Sequence, residues 1–115
     1  VKNAEMPSIY QQADYSVLPS FYEATSITGL ESMSSGLPLI GTNVGGIPYL
    51  IKEEETGFLV PPNDAEAIAA KIDEVLGFSD QRYIELSHAS ALRAQKNFDW
   101  SVIAKITEDY YKKIL

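Results

Sequence analysis

Three short, uninterrupted apolar runs, each followed by a helical pattern, most constrain the fold of this 115-residue chain. The runs cover residues 15–18, 37–41 and 58–60, and Pro19 and Pro61 stop the first and the third. Strands with one face in water alternate apolar and polar residues, whereas strands buried on both faces have continuous apolar runs. The alternation of such strands with helices predicts an α/β fold in which a parallel sheet is flanked by helices.

Apolar periodicity and capping residues locate the helices around these strands. The helices are expected over residues 4–12, 27–35, 47–52, 65–76, 80–96 and 100–115, with a break at residues 97–99. The expected N-caps are Thr25 or Ser26, Asn63 or Asp64, and Ser79 or Asp80. Gly36 is expected to end the helix that follows the first strand.

Two helices carry apolar stripes, and the stripe of the helix over residues 65–76 should face the core. In the helix over residues 65–76 the stripe consists of Ile68, Ile72, Val75 and Leu76. In the last helix it consists of Val102, Ile103, Ile106, Tyr110 and Ile114. We expect Trp100 and the pair Tyr110-Tyr111 to pack rather than to bind a ligand.

The predicted sheet is thin, because doubly wound domains normally contain about five or six strands. We therefore expect residues 1–115 to form a single, partial Rossmann-like domain, either half of such a domain or one that lacks its opening strands. The first strand would then leave an apolar sheet edge that invites self-pairing. We expect a dimer or a larger species, formed through this edge or through the last helix.

Charge and composition exclude several classes of function. The net charge of −7 and the pI near 4.5 argue against binding to nucleic acid or to an anionic membrane, which require clustered lysines and arginines. The absence of cysteine excludes disulfides and thiolate metal sites. No apolar run approaches the roughly 18 residues that cross a membrane. These features are compatible with the cytoplasm, where we expect the protein.

A loop and a helix N-terminus lie between two carboxylates, Glu23 and Glu31. The backbone amides of Ser26, Ile27 and Thr28 would lie at the positive end of the helix dipole, which favours phosphate. Glu31 would stand five residues into the helix, about 7.5 Å along its axis. This order suits a ligand with an anionic middle and hydroxyls at both ends, such as a nucleotide-sugar.

Structural explanations compete with this interpretation. A single glutamate on a helix usually lies on a solvated face, and one beside a loop is often a cap, so neither glutamate alone would indicate a site. The lone histidine, His88, lies on a predicted surface helix and is not expected to be catalytic. Gly45-Gly46 favours a turn over an anion cradle, and residues 53–55 favour a solvated acidic turn.

Residues 19–38 resemble the sequence pattern of glycosyltransferase family 4, which belongs to the GT-B superfamily. That pattern has a Glu, seven residues and a second Glu, with Pro-Ser before it and Glu-x-Met-x-x-Gly at its end, as from Pro19-Ser20 to Gly36 here. Further matches are Ala13-Asp14, Gly45-Gly46-Ile47-Pro48, residues 57–64 and Phe98-Asp99-Trp100. Two glutamates at this spacing are weak evidence alone, but the ordered set of matches is specific.

The resemblance implies an enzyme with two Rossmann-like domains that face a cleft. This chain would be the last portion of the C-terminal, donor-binding domain, and the acceptor domain would lie outside it. The implied reaction is retaining transfer of a hexose from a UDP-, GDP- or ADP-sugar to a hydroxyl acceptor. The resemblance assigns Glu31 to the ribose and Glu23 to the donor sugar near the reacting carbon, as the catalytic residue. Ala24, Thr25, Ser26, Ile27 and Thr28 complete the implied donor site.

The chain also departs from the family pattern. Ala24-Thr25-Ser26 replaces the usual Gly-Phe-Gly, so the hydroxyls of Thr25 and Ser26 become candidate partners for sugar or phosphate oxygens. Tyr49 stands where the family often has Glu, and its role is open. No Asp-x-Asp sequence is present, so we expect neither a metal nor a cofactor.

No lysine or arginine occurs between Lys2 and Lys52, so a diphosphate held between two carboxylates would need cations from outside this chain. The family's basic pair would supply them from strands that precede this chain. We therefore expect the chain to be inactive alone. A non-catalytic nucleotide-binding or assembly module is an alternative. A GT-B epimerase or phosphorylase is less favoured, because a phosphorylase needs a pyridoxal lysine and none lies near the motif.

Overall fold

The computed structural model describes residues 2–114 and is built on a sheet of three parallel strands. The strands are β1 (Ser16–Leu18), β2 (Leu39–Thr42) and β3 (Gly57–Val60), in the order β1-β2-β3. Ile40 in the middle of β2 is in register with Val17 on one side and with Phe58 on the other. The predicted parallel α/β sheet is confirmed. Relative to the apolar runs, β1 begins one residue later, β2 two residues later and β3 one residue earlier.

Helices connect and cover the strands. A 3₁₀ turn at Asn3–Glu5 leads into α1 (Met6–Tyr10), and the others are α2 (Ile27–Ser34), α3 (Ile47–Leu50), α4 (Ala65–Leu76), α5 (Asp80–Arg93) and α6 (Trp100–Ile114). None of the helices within residues 2–114 is both long enough and apolar enough to cross a membrane.

Side-chain caps explain where three of these helices begin. Ser26, Asp64 and Ser79 each accept a hydrogen bond from the backbone amide three residues later, at 2.9, 2.9 and 3.1 Å respectively. Each cap satisfies one of the amides that a helix N-terminus leaves without an internal partner. Gly36, with a φ of +83°, follows α2 in the left-handed conformation that glycine adopts readily. The predicted caps and the predicted stop are confirmed.

The core lies on both faces of the sheet. On one face Leu39 packs with Met33 of α2 and Ile47 of α3. On the other face Ile40 packs in a cluster with Leu86 of α5. Because successive residues of a strand point to opposite faces, the two neighbours in β2 serve two separate clusters. This arrangement accounts for the continuous apolar runs in the sequence.

Several residues expected in the core are exposed. Leu76 is 70% exposed, so its place in the predicted stripe was wrong, because α4 packs Ile68, Ile72 and Val75 against the sheet but not Leu76. Val17 is 40% exposed because β1 is an edge strand. Trp100 is 83% exposed, and Tyr110 and Tyr111 are also exposed.

The exposure at the C-terminal end follows from the path of α6. The predicted break at residues 97–99 is narrower than expected, since α5 continues without a gap into a π-helix over Ala94–Phe98. Only Asp99 is extended, with a ψ of 141°, and α6 then buries no residue in the part of the chain that the structure describes. The Ser101 hydroxyl and backbone amide both donate to the Asp99 carboxylate, and they lower its pKa below the ordinary value.

Two loops meet at the carboxyl ends of β1 and β2. The Gly46 amide donates to the Glu23 carbonyl oxygen at 3.1 Å. A Cβ on Gly45 would overlap the Glu23 carbonyl, and one on Gly46 would overlap the Ala24 carbonyl. Gly45 also has a φ of +52°, which L-residues rarely adopt. The two glycines therefore let the backbones of the two loops come into contact.

This contact predicts that a single methyl group added at Gly46 lowers stability, whereas one added at an open glycine does not. Gly46→Ala is expected to lower the free energy of unfolding by about 1–3 kcal/mol, because the Ala24 backbone must move away. Gly77→Ala is the matched control, since its Cβ would meet the Glu74 carbonyl at an ordinary 3.4 Å. Urea unfolding of both variants measures the difference, and equal stabilities would contradict the close packing.

Two tyrosines link β1 to α5 and α4. The rings of Tyr15 and Tyr83 meet edge to face, with centroids 5.4 Å apart, and the Tyr15 hydroxyl donates to the Val75 carbonyl at 3.2 Å. Burial, followed by the nearby Tyr83 and Asp14, raises the pKa of Tyr15 above its ordinary value of 10.0, while Arg82 opposes the shift. Burial and Asp14 likewise raise the pKa of Tyr83. The fold thus favours both phenols in the neutral form.

The raised pKa values predict a loss of stability in alkali. The contribution of the two phenols is fully present below their unfolded pKa of about 10.0 and is lost as the pH rises through the higher folded values. The unfolding free energy should therefore decline above about pH 10, measured by urea unfolding at each pH. In a variant with both Tyr15→Phe and Tyr83→Phe the decline should be shallower, and an identical decline would refute the assignment.

Candidate functional site

The candidate site lies where β1 and β2 end at the same edge of the sheet. Loops over residues 19–26 and 43–46 follow these strands, and Thr42 joins the two by donating from its hydroxyl to the Ser20 carbonyl at 2.6 Å. Thr42 is buried, so this hydrogen bond is shielded from water. Open α/β sheets bind ligands in crevices at the carboxyl ends of their strands.

Glu23 is held from two directions within the first loop. Its carboxylate Oε2 accepts from the Ser20 hydroxyl at 3.1 Å, and its backbone carbonyl accepts from the Gly46 amide. Its side chain lines a cavity of about 540 Å³, here called the Glu23 cavity, together with Thr25 and Tyr49. The ring of Tyr49 is largely exposed at this cavity. The carboxylate is therefore oriented at the mouth of an open cavity.

The N-terminus of α2 offers unpaired amides beside this cavity. The Ser26 hydroxyl accepts a hydrogen bond from the Gly29 amide, and the Ser26 carbonyl accepts one from the Leu30 amide at 3.1 Å. Within residues 2–114, the amides of Ile27 and Thr28 have no protein acceptor, and both residues are exposed. Two donors at the positive end of the helix dipole are thus open to an anion.

The Ser26 hydroxyl, a candidate ligand partner from the sequence, instead caps α2. Its side chain is only 3% exposed and its oxygen caps α2, so the Ser26 hydroxyl does not face a ligand. The cap position requires this, because the oxygen must point inward toward the amide three residues later. Thr25 is exposed and keeps the hydroxyl that the sequence suggested as a ligand partner.

Glu31 lies in α2 and does not line the Glu23 cavity. It lines a groove of about 720 Å³, here called the Glu31 groove, whose walls come from α1, α2 and α6 and include Tyr10, Ile27 and Trp100. The Tyr10 hydroxyl donates to Glu31 Oε2 at 3.1 Å. Burial, and then the hydrogen bond and charge of Glu31, raise the pKa of Tyr10 above its ordinary value. The phenol therefore stays protonated and continues to donate.

The two glutamates lie in neighbouring cavities. Thr25 and Phe98 line both the Glu23 cavity and the Glu31 groove. The loop between the carboxylates is therefore the partition between the two spaces, and a ligand that spans both must cross it. The roles of Tyr10 and Phe98 at the site were missed, because the sequence placed Tyr10 only within the helix expected over residues 4–12 and Phe98 only in the break before the last helix. No spacing rule links it to Glu31, 21 residues away.

The electrostatics of the site are unusual for an anion site. The ion pairs found among residues 2–114 join Lys52 to Glu55, Lys71 to Glu74, Lys105 to Asp109 and Lys112 to Glu108. None involves Glu23 or Glu31, so each carboxylate is held in this part of the chain by a neutral hydroxyl. The described residues contain no group of three or more His, Cys, Asp or Glu side chains arranged around a metal position.

Comparison with known proteins places these features in context. The family model described as "Glycosyl transferases group 1" matches residues 1–96. An uncharacterized glycosyltransferase of Methanocaldococcus jannaschii is 35% identical over 113 residues, which are 97% of this chain and 28% of that protein. The chain thus spans just over a quarter of the length of this relative.

Solved structures share the fold. Sucrose-phosphate synthase from Thermosynechococcus elongatus superposes with a TM-score of 0.88 at 32% identity, over 99% of this chain and 28% of that one. Anabaena HepE, solved in complex with UDP, superposes with a TM-score of 0.84 over 96% of this chain and 30% of that one, and at 21% identity it supports the fold alone. The three-stranded parallel sheet and its helices match the C-terminal domains of GT-B glycosyltransferases.

The family model covers most of the chain, and the two glutamates, the α2 N-terminus and the Gly45-Gly46 turn all lie within the matched residues. On this evidence the chain belongs to the group 1 glycosyl transferases.

Proposed function

We propose that this chain forms the donor site of a retaining glycosyltransferase that uses a nucleoside-diphosphate sugar. The observation that carries the proposal is that the free Ile27 and Thr28 amides at the start of α2 lie, along the chain, between two carboxylates that are each held by a hydroxyl. A donor of this kind has a diphosphate flanked by a ribose and a hexose. The order of chemical groups in the ligand therefore matches the order of groups in the protein.

The diphosphate is assigned to the N-terminus of α2. Backbone amides bind an anion without adding a mobile side chain, and the helix dipole favours negative charge at that end. Thr25 is exposed and lines both cavities, so its hydroxyl is a further candidate donor for a phosphate or sugar oxygen. Ala24 also lines the Glu23 cavity.

The two carboxylates are assigned to the two ends of the donor. A carboxylate accepts hydrogen bonds from two neighbouring hydroxyls, as acidic residues do with ribose in dinucleotide sites. We assign Glu31 to the ribose and Glu23 to the hexose near its reacting carbon. Both keep an oxygen, Oε1, to which no described residue donates.

The proposed reaction exchanges one bond at the anomeric carbon for another on the same face of the sugar. The bond from that carbon to the phosphate oxygen breaks, and the acceptor oxygen forms the new bond. The proton of the acceptor hydroxyl moves to the departing phosphate. The amides of Ile27 and Thr28 stabilise the negative charge that develops on the phosphate, because they are already aimed at it.

The negative charge of the two glutamates indicates that this chain forms only part of the proposed site. Two carboxylates near a diphosphate repel it, and no ion pair within residues 2–114 neutralises either of them. We therefore assign the compensating cations and the acceptor site to polypeptide outside this chain, in keeping with relatives of which it spans 28%. The chain alone is expected to bind a donor weakly and to transfer no sugar.

Glu31→Gln provides the first test. Loss of the charged acceptor should weaken the binding of the matching nucleoside diphosphate (UDP, GDP or ADP) about tenfold, as for hydrogen bonds to charged groups. Inorganic pyrophosphate should bind equally or more tightly, because repulsion falls. Glu85→Gln makes the same charge change on α5 and lines neither cavity, so it should alter neither affinity. Ligand-observed NMR titration measures all of these, and unaltered nucleotide affinity in Glu31→Gln would refute the ribose assignment.

Glu23→Gln tests the catalytic assignment in the complete transferase. Transfer should slow by about a hundredfold, the usual cost of removing one electrostatic group at the reacting centre. The affinity for the nucleoside diphosphate without sugar should stay constant, because Glu23 is assigned to the hexose. Steady-state transfer assays separate these effects. Full activity in the variant would favour a non-catalytic nucleotide-binding module instead.

A further inference from the structure

Tyr10 and Glu31 are brought together from separate helices. Tyr10 is the last residue of α1, and its phenol oxygen lies 3.1 Å from Glu31 Oε2 on α2. Both side chains line the Glu31 groove, where Tyr10 is half-buried and Glu31 is exposed. An exposed glutamate would otherwise sample several rotamers, since long side chains retain considerable freedom at a surface. The phenol restricts the carboxylate to one orientation.

The chemical nature of this partner matters. A lysine or arginine would neutralise the carboxylate, and a bidentate arginine would occupy both oxygens. The phenol donates a single hydrogen bond, occupies only Oε2 and leaves the negative charge in place. No other hydrogen bond to the Glu31 side chain occurs within residues 2–114. The remaining oxygen therefore has its full capacity to accept from a ligand.

We propose that Tyr10 is a positioning residue that orients the Glu31 carboxylate to receive the vicinal hydroxyls of the donor ribose. The inference rests on the proposed function and extends it to a residue of α1. Tyr10 acts through Glu31 rather than on the reacting atoms. The Ser20 hydroxyl donates to one oxygen of Glu23 in the same way. Each carboxylate of the site therefore accepts one hydrogen bond from an uncharged hydroxyl.

A purely structural role for Tyr10 has different consequences. If the phenol only tied α1 to α2, its loss would lower stability and weaken all ligands of the site equally. A positioning role predicts a loss confined to ligands that carry the ribose hydroxyls. The two roles are thus separated by comparing ribonucleotides with their 2′,3′-dideoxy counterparts.

The test uses the 115-residue chain with UDP, GDP and ADP and the 2′,3′-dideoxy form of each. In Tyr10→Phe the affinity for the preferred ribonucleotide should fall about three- to tenfold, the range for one hydrogen bond, and that for its dideoxy form should change less than about twofold. Tyr15→Phe is the matched control, because it removes a phenol that donates to the Val75 carbonyl at 3.2 Å, outside both cavities. It should lower stability and leave the affinities unchanged.

The outcomes separate this inference from the proposed function. Equal losses for the two nucleotide forms, or no loss in Tyr10→Phe, would overturn the positioning role alone. A wild-type chain that binds no nucleotide, or does not distinguish the ribose from its dideoxy form, would overturn the proposed ribose site and the inference with it.

Titration of the tyrosine Cζ resonances gives a readout that needs no nucleotide. Burial and the Glu31 carboxylate raise the pKa of the Tyr10 phenol, so Glu31→Gln should lower it toward its ordinary value of 10.0. The phenol pKa values of Tyr15 and Tyr83 should not change, since Glu31 does not contribute to the shift of either pKa. An unchanged Tyr10 value would show that the contact is absent in solution and would overturn the inference.

Discussion

The contact between the backbones of Glu23-Ala24 and Gly45-Gly46 is the constraint on which the ligand-binding edge depends. Parallel strands bring their carboxyl ends to one edge, but they do not by themselves pack the following loops together. Here the absence of two side chains allows the Gly46 amide to reach the Glu23 carbonyl. The loop before α2 is thereby held over β2, and the orientation of Glu23 follows from the position of its backbone.

Neutral hydroxyls, rather than cations, orient the acidic groups of the site. Ser20 holds Glu23 and Tyr10 holds Glu31, each through a single oxygen at 3.1 Å. A salt bridge would hold a carboxylate more firmly, but it would also compete with the hydroxyls of a ligand for the same oxygens. The arrangement keeps both carboxylates as acceptors. Its cost is a negative potential that a diphosphate must overcome, because no ion pair within residues 2–114 neutralises either carboxylate.

Local chemistry allowed much of the fold and part of the site to be predicted from the sequence. Caps such as Ser26 and Asp64 are local signals, and the structure places them as expected. The exposure of individual side chains was predicted less well. The apolar periodicity of a helix does not show how wide a face the neighbouring elements cover, and Leu76 lies outside the covered face of α4. On the apolar side of α6, Val102 and Ile103 are half-buried, whereas Ile106, Tyr110 and Ile114 are exposed. The contact of Tyr10 with Glu31 depends on how α1 lies against α2, which no local pattern encodes.

The spacing between the two glutamates has a physical reason in the position of the helix cap. Ser26 determines where α2 begins, and the free amides of Ile27 and Thr28 are the first two of the helix. Glu31 comes about one turn later, roughly 6 Å along the axis from Ile27 and on the same face as Ile27. Moving the cap by one residue would rotate Glu31 by about 100° around the helix axis. The carboxylate would then leave both the groove and Tyr10. The motif thus specifies a distance along the chain because the cap, the amides and the carboxylate must share one face of one helix.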